Sequence, residues 1–231
     1  MSNQFIIRTE NLTKNYIKNQ NLIKVIKSVN LMLKRGAITV ISGESGSGKS
    51  TLLYLISGLL KPCEGNVFFD DQNLYTMKEN VRANFINQKI GYVFQDYQLL
   101  SNLNVLDNVL LPAMLRAVEK KVNVNFIAKA KDLLVQFNLI HRMTHYPLEL
   151  SGGEQQRVAI LRALINEPEI VFCDEPTGSL DSKNGELFLA VAAKLKVEFN
   201  TTFVIVSHSA RLIQTADEHF TLKDGEILRE L

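Results

Sequence analysis

Gly43-Glu44-Ser45-Gly46-Ser47-Gly48-Lys49-Ser50, with Thr51 after it, is the stretch whose reading decides the fold. It fits G-x-x-x-x-G-K-[ST]. An apolar, strand-like run at 37–42 precedes it, and a helical stripe of Leu52, Leu55, Ile56 and Leu59 follows Lys49. The order strand, loop, helix is what the mechanism of such a loop requires. Its glycines let the backbone wrap closely around a β-phosphate, and the start of the helix faces the anion. Lys49 is placed to reach β- and γ-phosphates, and the Ser50 hydroxyl suits Mg²⁺. A flexible glycine loop would need neither flanking element.

Three further apolar runs, at 90–94, 170–173 and 202–206, are short and continuous, as expected for strands buried on both faces. Each ends close to a polar residue: Gln95, Asp174 and His208. Ligands of open α/β sheets sit at such carboxyl ends. Asp174 is expected to hold the magnesium shell, and Glu175 to polarise an attacking water. The Gln95 carbonyl oxygen can reach Mg²⁺ or that water. The His208 imidazole can donate to a γ-phosphate oxygen. Asp181, six residues beyond Glu175, reads by itself as a turn or a helix cap. Alone, each of these has an ordinary structural explanation; the loop upstream shifts the balance toward chemistry.

A second anion-reading element stands at Leu150-Ser151-Gly152-Gly153-Glu154-Gln155-Gln156-Arg157. Ser151 followed three residues later by Glu154 is a capping box that opens a helix. Gly152 and Gly153 bare the N–H groups of its positive first turn.

With 46% hydrophobic and 22% charged residues and a net charge of +2, the chain reads as globular and soluble, and gives no ground for a nucleic-acid partner. The most apolar helical run, 51–60, is too short to cross a bilayer and is interrupted by Ser57 and Gly58. The first residues lack the basic-then-apolar pattern of a signal peptide. Cys63 and Cys173 read as reduced thiols. Any action at a membrane then requires another subunit. Helical stripes also appear at 126–137 and 187–195. The ends, at 5–9 and at 220–228 around Asp224-Gly225, read as an antiparallel layer. The expected organisation is one domain, 1–231. An α/β core with its β layer (1–95 and 166–231) carries a helical insertion (96–165), with Asn104 and Asp107 capping one helix.

In this order, the elements resemble the nucleotide-binding subunits of ABC transporters over essentially the full length. The resemblance implies a P-loop NTPase (RecA-like) core and ATP hydrolysis with Mg²⁺. It identifies 43–50 with the Walker A loop, 170–175 with Walker B, Gln95 with the Q-loop, 150–155 with the signature, 179–181 with the D-loop and His208 with the switch histidine. Tyr16 matches the residue that stacks on adenine. It further implies that Ser151 and Gly153 read the γ-phosphate held by a second subunit, in a head-to-tail homodimer, and that a transmembrane permease subunit holds the pair at the cytoplasmic face of the inner membrane.

The runs at 90–100 and 108–112 are similar to the group of lipoprotein-releasing, macrolide-export and antimicrobial-peptide-export ATPases. Glu44 stands where proline is common, Ala37 where glutamate is, Ser209 where aspartate is and Ser179 where asparagine is, and Asn87-Gln88 replaces a usually basic pair. None of these removes a group that hydrolysis needs. A regulatory ATPase of the cell-division type, moving no solute, is the alternative. Tyr97, Leu99 and Leu100 either present apolar surface to the membrane partner or pack internally.

Overall fold

The computed structural model describes residues 4–116, 124–176 and 182–230. In chain order these form β1 (Phe5–Lys18), β2 (Asn21–Val29), β3 (Met32–Lys34), β4 (Ile38–Ser42), α1 (Lys49–Ile56), β5 (Glu64–Phe69), β6 (Gln72–Asn73), α2 (Glu79–Lys89) and β7 (Ile90–Val93). Then follow α3 (Val105–Arg116), α4 (Val124–Gln136), α5 (Gly152–Leu164), β8 (Ile170–Asp174), α6 (Ser182–Phe199), β9 (Thr202–Val206), α7 (Ala210–Thr215), β10 (Glu218–Lys223) and β11 (Glu226–Glu230). The result is α/β, a P-loop NTPase fold.

The main sheet has the order β11-β10-β4-β9-β8-β7. From β10 to β7 every pairing is parallel, and β11 closes one edge antiparallel to β10. All five residues of β8 and all five of β9 are buried. Successive side chains of a strand point to opposite faces. Phe172, Val204 and Val206 therefore join one apolar core with α1 and the second sheet, while Val171, Cys173, Phe203 and Ile205 join another with α3, α4 and α5. The continuous apolar runs follow from this two-sided burial.

The second sheet, β2-β1-β5-β6 with β3 on β1, is antiparallel. Its β1 covers 14 residues, more than the five expected at 5–9. The C-terminal hairpin does not belong to it. Phe220 pairs with Ile41 and Thr221 with Ser42, so β10 extends the parallel sheet. The turn itself is as read: Asp224 and Gly225 have φ of 50° and 80°, the left-handed pair that a two-residue hairpin turn requires. Asn104 caps α3 by accepting the Asp107 N–H at 2.8 Å.

Helix α5 lies close on β7. A Cβ placed on Gly91 would stand 2.5 Å from the Ala163 carbonyl oxygen. Gly91→Ala is expected to cost about 1–3 kcal/mol through overpacking. A fall in the urea midpoint with unchanged slope checks this; an unaltered midpoint contradicts it.

Candidate active site

The carboxyl ends of β4, β7, β8 and β9 meet around a cleft of about 970 Å³. The loop after β4 forms one wall. Gly43 has φ 151°, and a Cβ there would come within 2.3 Å of the Leu222 carbonyl oxygen, so β10 fixes the start of the loop. Gly46, at φ 80°, faces open space instead, which leaves the middle of the loop free to receive an outside group. Lys49 opens α1, and its ammonium donates to the carbonyls of Gly43 at 2.9 Å and Glu44 at 2.8 Å. The first N–H groups of α1 have no partner within the helix.

Opposite stands Asp174, the last residue of β8, only 2% exposed. Burial pushes its carboxyl up. The hydrogen bond from Ser50 pulls it down, and the neighbouring charge of Glu175 pushes it up again; the net direction is upward. Among the described residues, Asp174 Oδ1 has no hydrogen-bond partner, nor has Glu175 Oε2. A buried oxygen left unpaired beside a hydroxyl and an open cleft suits a cation that brings its own oxygen ligands. Mg²⁺ bound through one or two carboxylates and substrate phosphates is such a cation. The chemistry of the site therefore fits a magnesium–nucleotide.

Glu175 sits at φ 48°, an uncommon conformation for a non-glycine residue, held by its N–H bond to the Val206 carbonyl at 3.0 Å. Its Oε1 lies 3.1 Å from His208 Nδ1. The His208 side chain is 80% exposed and that of Glu175 16%, so the imidazole shields the carboxylate at the cleft mouth. Gln95 also lines the cleft.

The first turn of helix α5 is not part of this lining. Ser151 Oγ accepts the Glu154 N–H at 3.3 Å, and Glu154 Oε2 accepts the Ser151 N–H at 2.8 Å, which completes the expected box. Arg142 braces Glu154 from outside at 3.0 Å. Gly152 and Gly153 are thus not part of the cleft lining that holds Lys49, although Gly152 adjoins Tyr97, which is. Tyr16 lies on β1 opposite Ile23, 42% exposed, with the Lys14 ammonium 5.5 Å from its ring centre, and it does not line the cleft. Asp181 and Ser179 lie outside the described residues. Val25, Asp96 and Tyr97 line the cleft without having been singled out for it. Val25 comes from β2, whose largely exposed pattern carries little signal. Leu100 is 43% exposed whereas Leu99 packs against the core, so the 97–100 segment is divided between surface and interior.

A phosphate loop between strand and helix, with a buried carboxylate ending a nearby strand, defines a P-loop nucleoside triphosphatase. The ABC transporter profile matches residues 26–178. The chain is 40% identical over 227 residues to the lipoprotein-releasing system ATP-binding protein LolD of Buchnera aphidicola subsp. Schizaphis graminum, covering 98% of each. It is 41% identical over 225 residues to the protein of the same name from Cytophaga hutchinsonii, covering 97% of this chain and all of the relative. Among solved structures it is similar to the ATP-binding cassette MJ0796, seen as a dimer in a post-hydrolysis state bound to ADP and Pi. There the TM-score is 0.92 and the identity 38%, over 97% of both chains. The chain belongs to the ABC transporter family, as an ATPase.

Burial pushes the Glu154 carboxyl up, but the bonds from Ser151 and the bond and charge of Arg142 hold it below the usual glutamate value. A carboxyl depressed in the folded state adds stability above its unfolded pKa and loses it as pH falls through the folded one. Glu154→Ala is expected to cost about 1–2 kcal/mol at pH 7 and progressively less below about pH 4. Urea titrations at both pH values check this; an equal cost at both contradicts it.

Proposed function

We propose that this chain hydrolyses ATP to drive lipoprotein release through a separate permease subunit at the cytoplasmic face of the inner membrane. The observation that carries the reading is the cleft in which Lys49, the orphaned oxygen of Asp174 and the Glu175–His208 pair converge. The near end-to-end match to proteins named for lipoprotein release supports the choice of transporter. No helix among the described residues is long and apolar enough to cross a membrane, and the proposed permease subunit supplies the attachment.

In this mechanism residues 43–51 bind the triphosphate, and Tyr16, outside the cleft lining, would meet only a base that extends beyond it. Lys49 exchanges its carbonyl partners for phosphate oxygens and neutralises developing charge. Ser50, Gln95 and Asp174 would hold Mg²⁺, which supplies positive charge against the phosphate oxygens. Glu175 accepts a proton from the attacking water as its oxygen adds to the γ-phosphorus and the bond to the bridging oxygen of ADP breaks. His208 orients Glu175 and donates to a γ-phosphate oxygen. Because no residue of the Ser151–Glu154 turn lines the cleft, it reads the nucleotide of a second copy. Two copies then close on two nucleotides and part after hydrolysis.

Glu175→Gln is expected to bind ATP normally and to turn over about 10² to 10⁴ times more slowly, the usual worth of a general base. Unchanged turnover removes Glu175 from its role. In that background the chain should elute as a dimer with ATP, and added Ser151→Arg should leave nucleotide binding intact but keep it monomeric in size-exclusion chromatography. A dimer that survives Ser151→Arg contradicts the shared site.

A further inference from the structure

Arg162, near the C-terminal end of α5, is a buried cation, 9% exposed. Among the described residues it meets no carboxylate. Its guanidinium instead donates through Nη2 to the Tyr97 carbonyl and through Nη1 to the Gln98 carbonyl, both at 2.6 Å. A buried guanidinium is tolerable only where such bonds replace water. The two carbonyls belong to consecutive non-glycine residues in the left-handed region, at φ 57° and 48°. That conformation is rare and persists where its surroundings hold it. The fork and the twisted turn therefore maintain each other.

The turn is placed where it matters. Gln95 and Tyr97 line the nucleotide cleft. Just beyond, the buried Asn108 side chain accepts the Leu100 N–H at 2.8 Å and donates to the Leu100 carbonyl at 3.1 Å, which anchors the far side to α3. At the other end of α5, a Cβ placed on Gly152 would lie 3.5 Å from the Tyr97 hydroxyl. The helix thus touches this one turn both at its N-terminus and through Arg162.

We propose that Arg162 is a positioning residue for hydrolysis. Its two bonds make the 95–98 turn move with α5, so that docking of the α5 N-terminus on a partner's nucleotide sets Gln95 in the cleft of its own subunit. The inference rests on the shared-site reading given under the proposed function.

The test is a mutant cycle on the full chain with Arg162→Lys, which keeps the charge and loses the planar fork. Expected is ATP affinity of the monomer within about threefold of the parent, with kcat lower by roughly 10- to 100-fold, the cost of a small misplacement. In a Gln95→Ala background the same substitution should cause no further loss, because the two act as one unit. Equal losses in both backgrounds, or a loss of ATP affinity that tracks a loss of thermal stability, make Arg162 merely structural and overturn the inference. A parent chain that does not hydrolyse ATP sinks the proposed function itself, a distinguishable result. Hydrogen exchange on the Glu175→Gln chain gives a second readout that does not need Arg162 replaced. Amides of 97–100 and of the first turn of α5 should gain protection together on ATP addition. Protection gained at the α5 N-terminus alone contradicts the link.

Discussion

A parallel sheet is stable only when both of its faces are covered, and this constraint orders the molecule. From Ile170 to Cys173 in β8 and from Phe203 to Val206 in β9 every residue is apolar and buried. The chemistry is therefore expelled to the carboxyl ends, where Asp174, Glu175 and His208 collect against the loop that follows β4. Asp174 marks the limit of what the core tolerates. It is still within β8, its charge is desolvated, and a hydroxyl from α1 compensates only one of its oxygens. The same burial that holds the sheet together creates the unmet demand that a cation can satisfy.

What the sequence made legible was local. The phosphate loop, the capping box at Ser151 and the turn at Asp224-Gly225 each draw their meaning from a few adjacent residues, and each stands where it was read. What depends on distant pairing was not legible. The C-terminal hairpin was assigned to the antiparallel layer because its alternating pattern suits either sheet. Only the pairing of Thr221 with Ser42 decides, and no local signal encodes that. The extent of β1 and the presence of β2 were missed for a related reason. Of the nine residues of β2 only Ile26 and Val29 are buried, so the strand has almost no periodicity, yet it brings Val25 to the cleft. Arg162 was invisible because its partners are main-chain carbonyls, and backbone acceptors leave no trace in side-chain identity.

Helix α5 joins two kinds of order. Its first turn is completed by its own side chains, since Ser151 and Glu154 satisfy each other's orphan groups and Arg142 adds a brace. The N–H groups of Gly152 and Gly153 have no acceptor within the helix and carry the positive end of its dipole. Its later turns are buried between β7 and the 97–98 turn. One end thus leaves N–H groups without an acceptor in the helix, while the other is committed to the interior.

The ammonium of Lys49, bonded to two carbonyls of its own loop, has an energetic consequence. The two bonds hold the side chain against its own loop. Arrival of a nucleotide must break those two bonds, and its departure re-forms them. Under the proposed phosphate-binding role, the two carbonyl bonds offset part of the attraction between lysine and phosphate each time they are exchanged.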